Sequence, residues 1–291
     1  MPHLVKKLNE ILIEFKKKYE DAIKSKTAIN LIRSQTLINM LHEFTKLELI
    51  DRNIESSRIY PPLNNSKPEK RIIGFLKGKN QDVTVFPSYT KSSEYIKKGA
   101  AIGKKDPYGS DYLAKTLTVN VRSQLSSVRK NFDTLYERSF AEPLNLHLRV
   151  PSMVLGELYL IPTMAYNSDG IKNGKIILRE NNYLLKYISS YIALNKRTII
   201  TSDYHKYEKM CLLVVDFSQD LPQIVNTFTD LKNYLTSEEK NILSNFTQDE
   251  LNDLEKKFKD LTIANFVDDL LDIYDKRHNL KYLLKQQKTL Y

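Results

Sequence analysis

Residues 153–162 read MVLGELYLIP, and this nearly uninterrupted apolar run decides the class of fold. A second run of the same kind, KMCLLVVDF, covers residues 209–217, and a helical pattern at residues 183–194 lies between the two. Apolar runs without alternating polar residues are typical of strands that are buried on both faces of a sheet. The sequence therefore predicts an α/β protein of the α+β kind, with a mixed β-sheet core flanked by helices.

Helical periodicity predicts the structure at both ends of the chain. Apolar residues recur at helical spacing over residues 4–19 and 27–49, and again over residues 266–284. A loop rich in Pro and Asn at residues 55–70 is the best candidate for a boundary. We predict three regions, namely a helical N-terminal region (residues 1–70), a mixed-sheet core (71–220) and a C-terminal helical region packed on the core (221–291).

The segments between these landmarks are shorter. Residues 71–87 predict a hairpin with its turn at residues 77–80, and residues 97–110 predict a flexible basic loop. Residues 119–148 show a long helical pattern, bent at Pro143. A short strand is predicted at residues 175–178. The predicted order from residue 119 to residue 217 is therefore helix, strand, strand, helix, strand.

The composition places the chain among globular proteins without a membrane partner. Hydrophobic residues make up 41% and charged residues 27% of the 291 residues, which argues against disorder. No apolar run approaches the length of about 20 residues that a transmembrane helix needs, and the start of the chain lacks the apolar segment of a signal peptide. The single cysteine, Cys211, cannot form an internal disulfide. These features predict a cytoplasmic protein.

Charge is distributed unevenly along the chain. Residues 1–150 contain 27 Lys and Arg against 16 Asp and Glu, a net charge of +11, whereas the rest contains 18 against 19, a net charge of −1. Such asymmetry indicates that one part of the protein faces a polyanion, most often a nucleic acid. The alternative interpretation is a lysine-rich surface that is simply solvated.

Two acidic residues occur in the apolar runs, where a buried carboxylate is costly unless a cation, a metal or a hydrogen bond compensates it. Glu157 lies inside the first run. It is either an active-site residue or the partner of an arginine from the preceding helix. Asp216 is near the end of the second run, and it either joins such a site or caps a helix that begins at Ser218.

The predicted helix before Glu157 has acids on two of its faces. Asp133 and Glu137 are four residues apart, as are Arg138 and Glu142, so one of these lines could point inwards.

The sequence motifs of histidine metal sites, serine hydrolases and dinucleotide-binding enzymes are absent. The sequence has no histidine pair at metal-ligand spacing, no Gly-x-Ser-x-Gly elbow and no Gly-x-Gly-x-x-Gly loop after a strand.

Three segments resemble bacterial restriction endonucleases of the PD-(D/E)XK superfamily, namely VNVRSQLSS (119–127), NFDTLYERSFAE (131–142) and LGELYLIP (155–162). The resemblance extends over residues 119–217. It implies a core in which a helix with an acid precedes strands with metal-binding carboxylates, followed by a helix and a strand. It further implies Glu142 or Glu137 as the helix acid and Glu157 as a strand carboxylate. The family's Asp followed by Glu-x-Lys on adjacent strands is absent from the predicted strands.

The resemblance and the charge together predict a Mg²⁺-dependent, site-specific endonuclease of double-stranded DNA, a type II restriction enzyme that acts as a homodimer. We expect Glu142, Glu157 and Asp216 to hold the metal. We expect Glu142, Glu157 and Lys209 to be catalytic, with Lys206 as the alternative to Lys209 for the cation beside the attacking water. The predicted DNA-binding residues are Lys77, Lys79, Lys97, Lys98, Lys104, Lys105, Arg122, Arg129 and Lys130.

Two other functions stay open at this point. One is a DNA-binding protein without catalysis, in which Glu157 is a structural ion-pair partner. The other is a protein-binding scaffold, which would show no salt-dependent affinity for DNA.

Overall fold

The computed structural model describes residues 2–285, with side chains from residue 7 onwards. The strands are β1 (Ile59–Tyr60), β2 (Lys70–Ile73), β3 (Gly78–Gln81), β4 (Val83–Val85), β5 (Glu94–Tyr95), β6 (Lys105–Asp106), β7 (Leu117–Ser123), β8 (Val154–Pro162), β9 (Met164–Tyr166), β10 (Leu178–Glu180), β11 (Lys209–Asp216) and β12 (Gln223–Ile224). The α-helices are α1 (Pro2–Lys24), α2 (Ala28–Arg33), α3 (Thr36–Asp51), α4 (Ser110–Ala114), α5 (Val128–His147), α6 (Ser168–Lys172), α7 (Leu184–Leu194), α8 (Phe228–Tyr234), α9 (Ser237–Ser244), α10 (Gln248–Asp260) and α11 (Phe266–His278).

Six strands form the central sheet, in the order β1, β4, β7, β8, β11, β12. Strands β7, β8 and β11 are parallel, and the remaining strands join them in antiparallel pairs. Helix α5 connects β7 to β8, and α7 connects β8 to β11. Because both connections step across the sheet in the same direction, right-handed crossovers place α5 and α7 on the same face. The predicted class, a mixed sheet flanked by helices, is confirmed.

The two faces of the sheet are covered by different helices, because successive side chains of a strand point to opposite faces. In β8, Leu158 and Leu160 belong to the core beneath α1, α3 and α11. Tyr159 and Ile161 belong to the core beneath α5 and α7. Every residue of β8 is buried, as the apolar run predicts for a central strand.

The two predicted helical regions pack on this sheet. Strand β1, from the predicted N-terminal region, forms one edge of it. Leu12 of α1 and Leu270 of α11 share one core with Leu158. Residues 286–291 of the predicted C-terminal region lie outside the described residues. Across the part of the chain that is described, every helix falls short of the length and apolarity needed to cross a membrane.

The predicted helix at residues 119–148 is wrong in its first part. Residues 117–123 form β7, the strand beside β8, and the helix begins only at Val128. Val119 and Val121 are buried in the core beneath α1 and α3, so the polar residues between and after them lie on the opposite face. Pro143 lies inside α5, which continues past it to His147.

Two further predictions are corrected by the structure. The helical pattern at 27–49 divides into α2 and α3, which are separated where Gln35 has a φ of 62°. The predicted hairpin pairs β2 with β3, so its turn lies at residues 74–77 and Lys79 belongs to a strand. Strand β4, expected in that hairpin, joins the central sheet beside β7.

Candidate functional site

A buried polar cluster lies between the central strands and α5. Asn120 of β7 and Glu157 of β8 are direct neighbours in the parallel register. Arg122 is two residues further along β7, on the same face. The remaining members come from α5, from α7 and from the turn before β11, and they are Ser139, Glu142, Tyr191 and Tyr207. Polar residues in the middle of two buried strands need partners, and these elements supply them.

Arg122 lies between the two glutamates of the cluster. Its guanidinium contacts the Glu142 carboxylate directly. Its Nε is 3.9 Å from Glu157 Oε1, and its Nη1 donates to Ser139 Oγ at 3.1 Å. The expected ion pair of Glu157 therefore exists, but the arginine comes from the preceding strand and not from the preceding helix.

The cluster contains two oxygens without partners. Glu157 Oε1 accepts hydrogen bonds from Ser139 Oγ at 2.9 Å and from Tyr191 Oη at 3.2 Å. Its other oxygen, Oε2, is buried without a hydrogen bond. Asn120 Nδ2 donates to Glu142 Oε2 at 3.0 Å, but Asn120 Oδ1 is likewise buried and unpaired. Two unsatisfied acceptors thus occupy adjacent positions of neighbouring strands.

Burial and the Glu157 charge determine which groups of the cluster are ionised. Burial, followed by the charge of Glu157, raises the pKa of Tyr191 and of Tyr207 well above the ordinary value, so both phenols stay protonated donors. Burial is the largest single influence on Arg122 and lowers its pKa, but the charge of Glu157 together with the smaller contributions of Tyr207, Tyr191 and Asp82 outweighs it, so the net shift is upwards. Burial and then the Arg122 charge lower the pKa of Lys79 to about 8, despite its contact with Glu142.

A cavity of about 720 Å³ lies beside the cluster, between the β2–β3 hairpin and α5. Its cationic lining consists of Arg71, Lys77, Lys79 and Arg138, and its one acidic lining residue is Glu142. Lys79 contacts Glu142 and so connects the cavity to the buried cluster. A concave, mostly cationic surface of this kind suits a phosphate-bearing ligand.

The hairpin is fixed to α5 at its turn by Asn145. The amide oxygen of Asn145 accepts from the backbone N–H of Leu76 at 2.7 Å and of Lys77 at 3.1 Å, and its Nδ2 donates to Lys77 O at 3.0 Å. Gly74 permits this close approach, since a Cβ there would lie 2.5 Å from Asn145. One wall of the cavity is therefore rigidly attached to the other.

The donor set of the cluster fits a hard divalent cation. Mg²⁺ prefers oxygen ligands and is usually held by one or two carboxylates together with water and substrate phosphates. Asn120, Glu142 and Glu157 provide two carboxylates and an amide oxygen, and two of the oxygens lack partners. Among the side chains described, those of residues 7–285, no group of three or more His, Cys, Asp or Glu gathers, so a metal here would depend on the amide and on ligands from outside the chain.

The structure does not bring Asp216 or Lys209 to the cluster. Glu157 is in register with Met210, so Asp216 lies six residues further along β11, about 20 Å away at about 3.3 Å per residue. Its carboxylate accepts from Ser218 N at 2.8 Å and from Tyr234 Oη at 3.2 Å, and no helix begins at residue 218. It therefore neither joins Glu157 nor caps a helix.

The predicted lysines near β11 are also paired elsewhere. Lys209 contacts Asp269 of α11. This contact lies on the opposite face of the sheet from Glu157, because Lys209 precedes the residue that is in register with Glu157. Lys206 lies 3.1 Å from Asp203. Lys209 is therefore not beside the buried cluster, and the ammonium of Lys206 is paired with Asp203.

The predicted DNA-binding residues fall into three places. Lys77, Lys79 and Arg122 lie at the cavity or in the cluster. Arg129 and Lys130 line a second cavity of about 470 Å³ at the start of α5. The others are exposed on the segment from residue 97 to β6, and they are Lys97, Lys98, Lys104 and Lys105.

Of the two candidate helix acids, the structure places Glu142 in the cluster, while Glu137 is exposed. Sequence reasoning missed Asn120, Ser139 and the two tyrosines. The alternation of Val119 and Val121 was the available signal for Asn120, because it marks a strand whose polar residues share one face.

No protein-family model matches the chain, and neither a curated protein nor a solved structure matches it.

Proposed function

We propose that this chain is a Mg²⁺-dependent, site-specific endonuclease of double-stranded DNA, of the restriction-enzyme type. One observation supports this most. Glu142 and Glu157 meet at Arg122 in a buried cluster with two unsatisfied oxygens, beside a cationic cavity. Metal-dependent hydrolysis of a phosphodiester uses both features, because carboxylates hold the metal and cations offset the charge of the phosphate.

Asn120, Glu142 and Glu157 would hold the metal. When bound, Mg²⁺ supplies polarisation of the scissile phosphate and a hydroxide at neutral pH. The chain's own cations position the DNA: Arg71, Lys77 and Arg138 line the cavity and would contact backbone phosphates. Ser139 and Tyr191 hold Glu157 Oε1 in place through hydrogen bonds and so fix the direction of its free oxygen.

The proposal extends to a homodimer in the cytoplasm. Cutting both strands of a palindromic site calls for two active sites related by a two-fold axis. Cys211 is a buried free thiol, which suits a reducing compartment. Light scattering should give twice the chain mass of 33.9 kDa, and cell fractionation tests the compartment. A protein that is monomeric at all concentrations would contradict the proposed homodimer. Recovery of the protein outside the cytoplasm would contradict the proposed location.

The decisive test is cleavage of long DNA of mixed sequence, whose diversity covers short recognition sites. With Mg²⁺ the wild-type chain should give discrete fragments, and EDTA should prevent them. Glu142→Gln and Glu157→Gln should abolish cleavage. Glu137→Gln is the matched control, since Glu137 is on the same helix but exposed. A folded wild-type protein that binds DNA and never cuts it would overturn the proposal.

A DNA-binding protein without catalysis is the second candidate. It is favoured by the contacts of Lys79 and Arg122 with Glu142, which already neutralise that carboxylate. In this case DNA would be retarded in a gel in a salt-dependent way, no metal would produce cleavage, and Glu142→Gln would leave DNA affinity unchanged. A loss of cleavage in the same variant excludes this candidate.

A further inference from the structure

Two cationic side chains contact the Glu142 carboxylate, and they differ in their freedom to move. Arg122 contacts one oxygen, is 15% exposed, and also donates to Ser139. It projects from β7, in the centre of the sheet, and cannot leave without disrupting the cluster. Lys79 contacts the other oxygen from the cavity side and is 36% exposed. Of the two, Lys79 is the cation that can move.

The movement needs only the lysine side chain. Asn145 holds the hairpin turn, Arg149 contacts the carbonyl of Ile73, and Ile72 is buried in the core. The hairpin backbone therefore stays in place. A lysine side chain, by contrast, has four rotatable bonds, and its ammonium can swing from Glu142 into the adjoining cavity.

The cavity would attract a phosphate towards Lys79. Among the ion pairs formed by the described side chains, those of residues 7–285, none includes Arg71, Lys77 or Arg138, although all three line the cavity. A phosphodiester that enters among these charges is an alternative partner for the Lys79 ammonium. Once Lys79 turns to the phosphate, one oxygen of Glu142 is released in the same cluster that contains the unpaired oxygens of Asn120 and Glu157.

We propose that Lys79 is a resident counter-ion of Glu142 that keeps divalent metal out of the free protein, and that a DNA phosphate withdraws it. Metal binding and DNA binding are then positively coupled, and by linkage each strengthens the other by the same factor. The inference rests on the proposed function, because it uses the same metal ligands. It adds that the site binds metal weakly until DNA is present.

The test is binding of Mn²⁺, followed through the loss of the free-ion EPR signal, with no cleavage readout. Without DNA, Lys79→Met should bind Mn²⁺ tighter than the wild type by about fivefold or more, the lower end of typical coupling factors. Lys77→Met is the matched control, since it removes one charge from the same cavity but does not contact Glu142. Glu142→Gln lacks one of the proposed metal ligands, so its Mn²⁺ binding defines the background from other sites. Thermal melts confirm that each variant is folded.

Duplex DNA should tighten Mn²⁺ binding to the wild type by a larger factor than binding to Lys79→Met, because in the variant DNA can contribute only phosphate ligands and has no lysine to withdraw. The same factor in both proteins would contradict the inference. Equal affinities of Lys79→Met and Lys77→Met, or no effect of DNA on the wild type, would overturn the inference while leaving the metal site of the proposed function intact. Absence of Mn²⁺ binding above the Glu142→Gln background in every variant, with and without DNA, would overturn both.

Discussion

Asn120 of β7 and Glu157 of β8 are direct neighbours in two parallel strands, and each has a buried side-chain oxygen without a hydrogen-bond partner. An unpaired buried polar atom costs roughly 1 to 3 kcal/mol. Both atoms are acceptors, so they cannot satisfy each other. A donor or a cation has to satisfy them: the Tyr207 hydroxyl, which interacts with Glu157, is one donor within reach, and a bound cation would be another. This is why the cluster is a stronger candidate for a site than its ion pairs alone would make it.

Replacement of Glu157 by Gln should leave the free energy of unfolding within about 1 kcal/mol of the wild type. The new side chain still has an oxygen that accepts from Ser139 and Tyr191, and its amide places a donor where Oε2 has no partner. Arg122 keeps its contact with Glu142, so no cation is left unpaired. Urea denaturation measures the stability. A loss of roughly 3 to 5 kcal/mol would show instead that Glu157 is mainly a structural counter-ion.

A second buried glutamate, Glu208, should behave in the opposite way. Its Oε1 accepts from Arg197 Nη1 at 3.0 Å and from Arg277 Nη1 at 2.9 Å, and its Oε2 accepts from Leu155 N at 2.9 Å. Glu208→Gln leaves two guanidinium groups without their carboxylate, so we expect a loss of roughly 3 to 5 kcal/mol in the same denaturation experiment. A neutral result would mean that solvent compensates both arginines.

The stability contributed by Glu208 should also depend on pH. Burial alone would raise the pKa of Glu208, but the hydrogen bond from His147 and the charges of Arg277 and Arg197 lower it to about 2, below the ordinary value of 4.5. The contribution is therefore complete above about pH 4.5 and is lost as the pH falls towards about 2, about 3 kcal/mol in all. Denaturation at about pH 6 and about pH 3 should show the gap between wild type and Glu208→Gln narrowing at acid pH. A constant gap would contradict this.

The sequence predicts the two central strands because β8 and β11 are apolar on both faces. The sequence does not predict strand β7, because its second face is polar and the polar residues on that face pair with residues distant in the chain. Asn120 pairs with Glu142, and Arg122 contacts both glutamates. Local periodicity contains no information on such partners, so a strand with a polar face followed directly by a helix resembles one long helix.

The site was predicted only in part for a related reason. Glu157 is predicted because an acid inside an apolar run needs compensation. Glu142, with Glu137 as the alternative, is predicted from its place on the preceding helix and from the resemblance, and neither argument requires knowledge of the sheet. Lys209 and Asp216 needed the register between β8 and β11 as well. A register is set by packing of the whole sheet, and a shift of one residue moves every side chain to the other face.

Gly156, directly before Glu157, should not tolerate a methyl group. A Cβ at this position would lie 2.7 Å from Leu270 Cδ1 and 3.3 Å from Phe266 Cζ, both in α11. Gly156→Ala should therefore destabilise the protein by about 1 to 3 kcal/mol through overpacking. Leu270→Ala removes the closest atom, so the double variant should be more stable than the sum of the two single effects predicts. Strict additivity in this double-mutant cycle would show that α11 moves away from the strand.

Reversal of charge at Lys104 and Lys105 should weaken DNA binding without lowering the midpoint of thermal unfolding. Both side chains are exposed on the segment that ends in β6, so they contribute little packing. Their loss removes phosphate contacts and should also reduce the dependence of affinity on salt. The matched control is the reversal of Lys256 and Lys259, which are exposed on α10 in the part of the chain without net positive charge. Gel-shift titrations at two salt concentrations compare the variants. Equal weakening of DNA affinity by both charge reversals would mean that affinity depends on the total charge of the protein. The segment with Lys104 and Lys105 would then not be part of a defined DNA interface.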